Sequence, residues 1–153
     1  MGKRREGREA AVQYLFAHDL HGQPKPEDMS SFWDVHNARP GVRKYAEELI
    51  QGVLADLPEI DRLLENVVQN FRIERLASVD RNILRLAIYE LRNVKEVPTA
   101  VILNEAIEIA KTFGAVESGG FVNGVLDRLT AEIRGRARET TPTAPTAPPP
   151  TAD

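Results

Sequence analysis

Apolar residues recur at helical spacing along most of the chain, and no segment alternates in the period of two that a half-buried strand requires, so the pattern predicts an all-α fold. Val12, Leu15, Phe16 and Leu20 form the inward stripe of a first helix over about residues 5–20, which Gly22 and Pro24 stop. Residues 22–40 hold three prolines and few periodic apolar positions. They predict an irregular connection, with Met29, Phe32, Trp33 and Val35 forming a short helical turn over the core. A second helix opens at Pro40 and Gly41 and turns Tyr45, Leu49, Ile50, Val53 and Leu54 inward. Asp56, Pro58 and Glu59 signal a stop and a new start, with Asp56 and Glu59 spaced as a capping box. Ile60, Leu63, Leu64, Val67, Val68 and Phe71 mark the third helix. Ser78 is placed to cap a fourth, from Val79 to about Asn93, whose Ile83, Leu84, Leu86, Ala87, Ile88 and Leu91 leave only a narrow polar face. Pro98 and Thr99 open a fifth, carrying Ile102, Ala106, Ile109, Ala110 and Phe113 inward until Gly114 ends it. The sixth follows a Ser118 cap, with Val122, Val125, Leu126, Leu129 and Ile133 on one stripe reaching about Gly135.

Beyond Glu139 the composition changes to Thr, Pro and Ala, which cannot bury enough apolar surface to offset the entropy of ordering. The expected organisation is therefore one globular domain over residues 1–138 and a disordered tail over 139–153. The start, Met1-Gly2-Lys3-Arg4-Arg5-Glu6, is charged and precedes no apolar stretch, which argues against a signal peptide or a transmembrane helix and for a cytoplasmic location without a membrane partner. Cysteine is absent, which excludes disulfides, thiolate metal sites and a cysteine nucleophile. A net charge of −3 speaks against coating nucleic acid through bulk electrostatics, so any RNA site must be local. Basic residues do cluster, as Lys3, Arg4, Arg5 and Arg8 at the start and Arg134, Arg136 and Arg138 at the end of the folded part. Such clusters read either as phosphate contacts or as solvated terminal charge.

Candidate chemistry is sparse. His18 and His21 flank Asp19 near the end of the first helix, but two histidines favoured by the negative end of a helix dipole do not make a metal site. Glu105 and Glu108, three apart on one helix, read as a solvated face rather than an acid/base pair. No Gly-rich phosphate loop occurs, and neither catalysis, cofactor nor metal is expected. Phe121 stands on the shoulder of the last helix's core stripe, where it can serve as a core-edge aromatic or as a stacking platform for an unpaired base. Gly124 within that helix suggests a close approach by a neighbouring helix or a ligand backbone, and Gly119 and Gly120 leave helix N-terminal N–H groups accessible to a phosphate.

The segments Val79-Asp80-Arg81-Asn82-Ile83-Leu84-Arg85-Leu86-Ala87-Ile88-Tyr89-Glu90-Leu91, Asn104-Glu105-Ala106-Ile107-Glu108-Ile109-Ala110-Lys111 and Phe121-Val122-Asn123-Gly124-Val125-Leu126-Asp127 resemble, in order and spacing, the signature blocks of the NusB family of transcription antitermination factors. The opening Arg4-Arg5-Glu6-Gly7-Arg8-Glu9-Ala10-Ala11-Val12-Gln13 is similar to that family's first helix, so the resemblance spans residues 3–135. It implies two packed helical subdomains, about 1–76 and 77–138, and a role without enzymatic activity. The implied role is assembly with the ribosomal protein NusE on single-stranded boxA RNA of ribosomal RNA operons, within the RNA polymerase antitermination complex that reads through terminators. The resemblance further implies RNA contact by Lys3, Arg4, Arg5, Arg8, Arg85, Glu117, Phe121 and Asn123, and NusE contact by Phe16, Leu20, Glu74 and Asp80. Glu117 stands where some relatives carry Asp.

Two other readings stay open. One is a stand-alone relative of the RNA-binding module that precedes the catalytic domain of an rRNA cytosine methyltransferase; this chain has neither the length nor the cysteine for that enzyme. The other is a helical adaptor that binds only proteins, with the terminal arginines as solubility charge. The sequence also leaves a homodimer open.

Overall fold

The computed structural model describes residues 2–21, 26–68 and 73–135. Among these residues there are seven α-helices, one short 3-10 turn and no strand. The helices are α1 (Lys3–His21), α2 (Pro26–Val35), α3 (Pro40–Ala55), α4 (Leu57–Val67), α5 (Ser78–Asn93), α6 (Thr99–Phe113) and α7 (Ser118–Arg134), with the 3-10 turn at Ile73–Arg75 before α5. No described helix is long and apolar enough to cross a membrane. The expected disordered tail, together with Phe71, Arg136 and Arg138, lies outside the described residues.

Helix α5 is the hub. Ile83, Leu84, Leu86, Ala87, Ile88 and Leu91 are all buried, as its narrow polar face predicts, and they pack against α1, α6 and α7 with lighter contact to α3 and α4. Its central place follows from a sequence that is apolar on most sides. Helix α1 runs between α3 and α5. It lies antiparallel to α5, since Arg8 meets Glu90 near the end of α5 and Asp19 meets Arg81 near its start. It runs alongside α3 in the same direction, since Lys3 lies on Gly41 and Gly7 on Tyr45. Small residues permit that approach: a Cβ on Gly7 would stand 2.5 Å from the Tyr45 ring, and Ala46 is fully buried. Gly52 likewise faces Tyr89 so closely that a Cβ would lie 2.2 Å from its ring. Helices α6 and α7 form an antiparallel pair, with Arg134 at the end of α7 beside Thr99 at the start of α6.

Several local expectations change. The segment expected as an irregular connection with a short turn contains the ten-residue helix α2. Its proline, Pro26, is the first helical residue, where a missing N–H costs nothing, and Glu27 and Asp28 favour the positive end of the dipole. Met29, Phe32 and Trp33 do cover the core, Trp33 closing a small cluster with Ala10 and Ala46, while Val35 is exposed. None of the expected side-chain caps forms. Asp56 and Glu59 make no capping box, because Asp56 accepts from Arg92 and Glu59 pairs with Arg62. Ser78 is the first residue of α5 rather than its cap and donates to Asp19 at 2.9 Å. Ser118 likewise opens α7, its Oγ accepting from the Ala115 N–H at 2.9 Å. Asp56 and Ser78 thus turn to distant side chains, and Ser118 to the backbone before its helix rather than within it.

Candidate nucleic-acid interface

The N-terminal turns of α1 present four cations whose directions diverge. Helical periodicity puts Arg8 one turn before Val12 and two before Leu15, on the core stripe itself, and the structure buries it. Its Nε lies 3.0 and 3.1 Å from the two carboxylate oxygens of Glu90, which is equally buried, and Tyr45 donates its hydroxyl to Glu90 at 3.4 Å. Desolvation alone would lower the Arg8 pKa, but the hydrogen bond and charge of Glu90 outweigh it and raise it, so Arg8 stays charged. Arg8 is thus grouped with the RNA-facing residues by sequence but is turned inward by the fold.

Arg5 faces α6. Its Nε and Nη2 donate to the two oxygens of Glu105, each at 2.8 Å, a bidentate fork that holds the Glu105 pKa below its ordinary value through hydrogen bonding and charge, against some desolvation. Glu105 is therefore not the solvated carboxylate its spacing from Glu108 suggests. Lys3 and Arg4 remain exposed, and the Arg4 guanidinium sits over the Tyr45 ring at 5.7 Å.

Helix α6 connects this region to the start of α7. At about 100° per residue, Asn104 and Glu108 stand between Glu105, which meets α1, and Ile107 and Lys111, which meet Gly119 at the start of α7. Asn104, Glu108 and Lys111 are exposed, so one open stripe of α6 separates the two candidate RNA-contacting regions. On α7, Glu117 and Asn123 are exposed, and Phe121 is half-buried with one side against the core. Nothing lies within 4 Å of the Cβ positions of Gly120 and Gly124, one turn apart. The close helix approach suggested for Gly124 is therefore absent among the described residues, and the face around it is bare.

Arg85 stands elsewhere. Its Nε and Nη2 donate to Asp61 at 2.9 and 3.0 Å, and its Nη1 reaches Asn82 at 3.2 Å and Asp19 at 3.5 Å. Asp19 is sixteen residues from Lys3 along α1, about 24 Å at the helical rise, so the fold does not bring Arg85 to the basic start. The Asp19 carboxylate also accepts from Arg81, Ser78 and Asn82. Burial pushes its pKa up, but these donors and the charges of Arg81 and Arg85 prevail and hold it below the usual range. Asp19 is thus fully engaged, and His18 beside it rests on the Tyr14 ring at 4.0 Å.

Of the expected partner-facing residues, Phe16 keeps part of its ring exposed while Val12 and Leu15 are buried. Asp80, in the first turn of α5, is buried, and its Oδ1 has no hydrogen-bond partner among the described residues. The side chains of Leu20 and Glu74 lie outside the described residues. Sequence reasoning missed Glu90 and read Tyr45 only as an inward core residue, although an acid on the stripe Ile83, Leu86, Glu90 is the sign of a buried ion pair. Arg134, expected in a basic cluster that reads as phosphate contacts or solvated charge, is neither: it donates to the carbonyls of Glu90, Leu91, Val94 and Val97, closing the end of α5.

The NusB family profile matches residues 5–131, most of the chain and every described helix from α1 to α7. The chain belongs to the NusB family. It is 51% identical over 136 residues to the transcription antitermination protein NusB of Sorangium cellulosum, covering 89% of this chain and 96% of that protein. The T. maritima NusB structure superimposes with a TM-score of 0.79 at 34% identity, over 92% of this chain and 99% of that one. A structure described as antitermination factors NusB and NusE in complex with dsRNA superimposes with a TM-score of 0.77 at 28% identity, over 86% and 98% of the two chains. Membership in the NusB family makes this a transcription antitermination protein and not an enzyme.

Proposed function

We propose that this NusB protein binds single-stranded boxA-type RNA of ribosomal RNA operons together with the ribosomal protein NusE, and so helps RNA polymerase, in the cytoplasm, to read through terminators. The observation that carries the reading is the match over nearly the whole chain to a NusB seen with NusE and RNA. Exposed cations at the start of α1, and the bare start of α7 with the half-buried Phe121 ring, offer what single-stranded RNA requires, phosphate neutralisation and an aromatic face. In this reading Lys3 and Arg4 meet phosphates, and Phe121, Asn123 and Glu117 meet an unpaired base and its neighbours. Arg5 and Arg8 act by fixing α1, since their donors are engaged with Glu105 and Glu90. Arg85 acts in the same indirect way.

NusE contacts the opposite end of α1, near Phe16 and Asp80 with Leu20 and Glu74, where Phe16 leaves part of its ring exposed. Two helical halves, about 1–76 and 77–138, then meet along α1 and α5, and RNA lies over one end of that seam. The test is fluorescence anisotropy of a labelled boxA-type RNA and a scrambled control, with wild type and Phe121→Ala, with and without NusE. Preferential boxA binding that NusE tightens and Phe121→Ala weakens by about ten-fold supports the reading, since one stacked base contributes about 1–3 kcal/mol. Equal, feeble binding to both RNAs in every arm refutes it.

A further inference from the structure

Two of the four cations that open the chain face inward, which leaves Lys3 and Arg4 as a small positive surface. The fold enlarges it from a part of the sequence 35 residues away. Because α1 and α3 run side by side in the same direction, their positive ends are adjacent. Lys3 lies across Gly41, where a Cβ would stand 3.0 Å from its Cδ and 3.1 Å from its Nζ, so the glycine is what lets the lysine lie flat on α3. Beside it, α3 carries Arg39 and Arg43 one turn apart, with side chains 66% and 50% exposed, and Lys44, also exposed. Arg39 is the N-cap residue and makes no side-chain cap, so the first N–H groups of α3 face the same space.

We propose that Arg39 and Arg43 bind the phosphodiester backbone of the RNA, so that its track runs from Lys3 and Arg4 onto the start of α3. This inference rests on the RNA-binding reading above. Each arginine now has a carboxylate partner, Arg39 with Glu6 at 2.7 Å and Arg43 with Glu47 at 3.3 Å. Both pairs are exposed, and exposed pairs are weak and screened, so a phosphate can replace the carboxylate. The inward pairs differ in kind. Arg8 and Glu90 are buried, and Arg5 is held by a two-pronged fork, so neither guanidinium can turn outward without stranding a carboxylate. Arg43 also rests over the Trp33 ring at 5.5 Å, which fixes its stem while leaving the guanidinium edge to solvent.

The number of phosphate contacts is read by the salt dependence of affinity, which for single strands changes by about 0.7 in log–log slope per contact. Anisotropy of the labelled boxA-type RNA is measured across a salt series for wild type, the double variant Arg39→Ala/Arg43→Ala, and Arg75→Ala in the 3-10 turn, an exposed cation at the opposite end of α1. The double variant should lose about 1.4 from the slope and bind more weakly at low salt, with Arg75→Ala unchanged and melting curves of all three superimposable. Tight RNA binding by wild type with the same slope in the double variant overturns the α3 contribution and leaves the RNA reading standing. An equal loss of slope in Arg75→Ala overturns it too, because the effect is then one of diffuse charge. No binding of the RNA by wild type removes both.

Discussion

The two ends of α1 are built from the same chemistry with the signs reversed. At the start, cations of α1 meet carboxylates of the C-terminal helices, Arg5 with Glu105 and Arg8 with Glu90. At the end, a carboxylate of α1, Asp19, meets cations of α5, Arg81 and Arg85. The result is a helix held on α5 in the antiparallel sense, since a reversal would set like charges together, and in one register, since a one-turn slip would part the buried Arg8 from Glu90. The ends differ in what remains for solvent. Cations stay exposed at the start, where Lys3, Arg4, Arg39 and Arg43 gather, whereas the end neutralises its charges internally and exposes part of an aromatic ring, Phe16. One helix thus offers a charged surface at one end and a more apolar one at the other, which suits an RNA and a protein partner respectively.

Three substitutions probe that contrast in decreasing order of effect. Glu90→Ala removes the acid from the deeper pair and leaves Arg8 buried and uncompensated, so it should lower stability by about 3–5 kcal/mol. In a chain of this size that is a fall of about 10 °C in melting temperature. The double variant Arg8→Met/Glu90→Leu should recover most of it, and a double variant as unstable as the single one would show that the ion pair is needed for more than filling space. Asp19→Ala should cost less, about 2 kcal/mol by urea titration. Arg81 keeps the carbonyls of Ile73 and Leu76, and Arg85 keeps Asp61, so neither guanidinium is stranded. An effect equal to that of Glu90→Ala would mean that the two ends are equally critical.

The smallest effect concerns acid. Glu105 and Asp19 have folded pKa values below their ordinary 4.5 and 3.8, so the unfolded chain binds protons more readily than the folded one. Their stabilisation is complete above those ordinary values and is lost as pH falls through the depressed ones. Melting temperature should therefore fall as pH drops below about 4.5, and Glu105→Gln should be slightly less stable at neutral pH yet show a shallower acid decline. Parallel pH profiles for wild type and Glu105→Gln would remove Arg5–Glu105 as the source.

Helical period makes most of the fold legible, because six of the seven helices bury a continuous stripe. Helix α2 is not, since Pro24 and Pro26 read as breakers and only Met29, Phe32 and Trp33 carry its inner face. The expected caps at Asp56 and Ser78 fail because a local rule cannot see Arg92 or Asp19, which sit next to them only once the chain has folded, whereas Ser118 turns back to the N–H of Ala115 three residues before it. Of the candidate site residues, Lys3, Arg4 and Asn123 are exposed, as a contact with RNA would need. Arg8 is not, and its place on the Val12 and Leu15 stripe carries the signal. Arg39 and Arg43 are invisible to a reading that looks for clusters along the chain, because they join Lys3 only through the side-by-side run of α1 and α3.

Residue 90 has a consequence for the order in which this protein can be completed during synthesis. Its side chain receives Arg8 from the first helix and its carbonyl receives Arg134 from the last. A nascent chain that has emerged only as far as α6 has made both members of the first bond, but the final turn of α5 still has carbonyls without their guanidinium. The end of α5 that anchors α1 is closed only when residue 134 has left the ribosome, so the surroundings of the charged start of the first helix are among the last parts of the molecule to be completed.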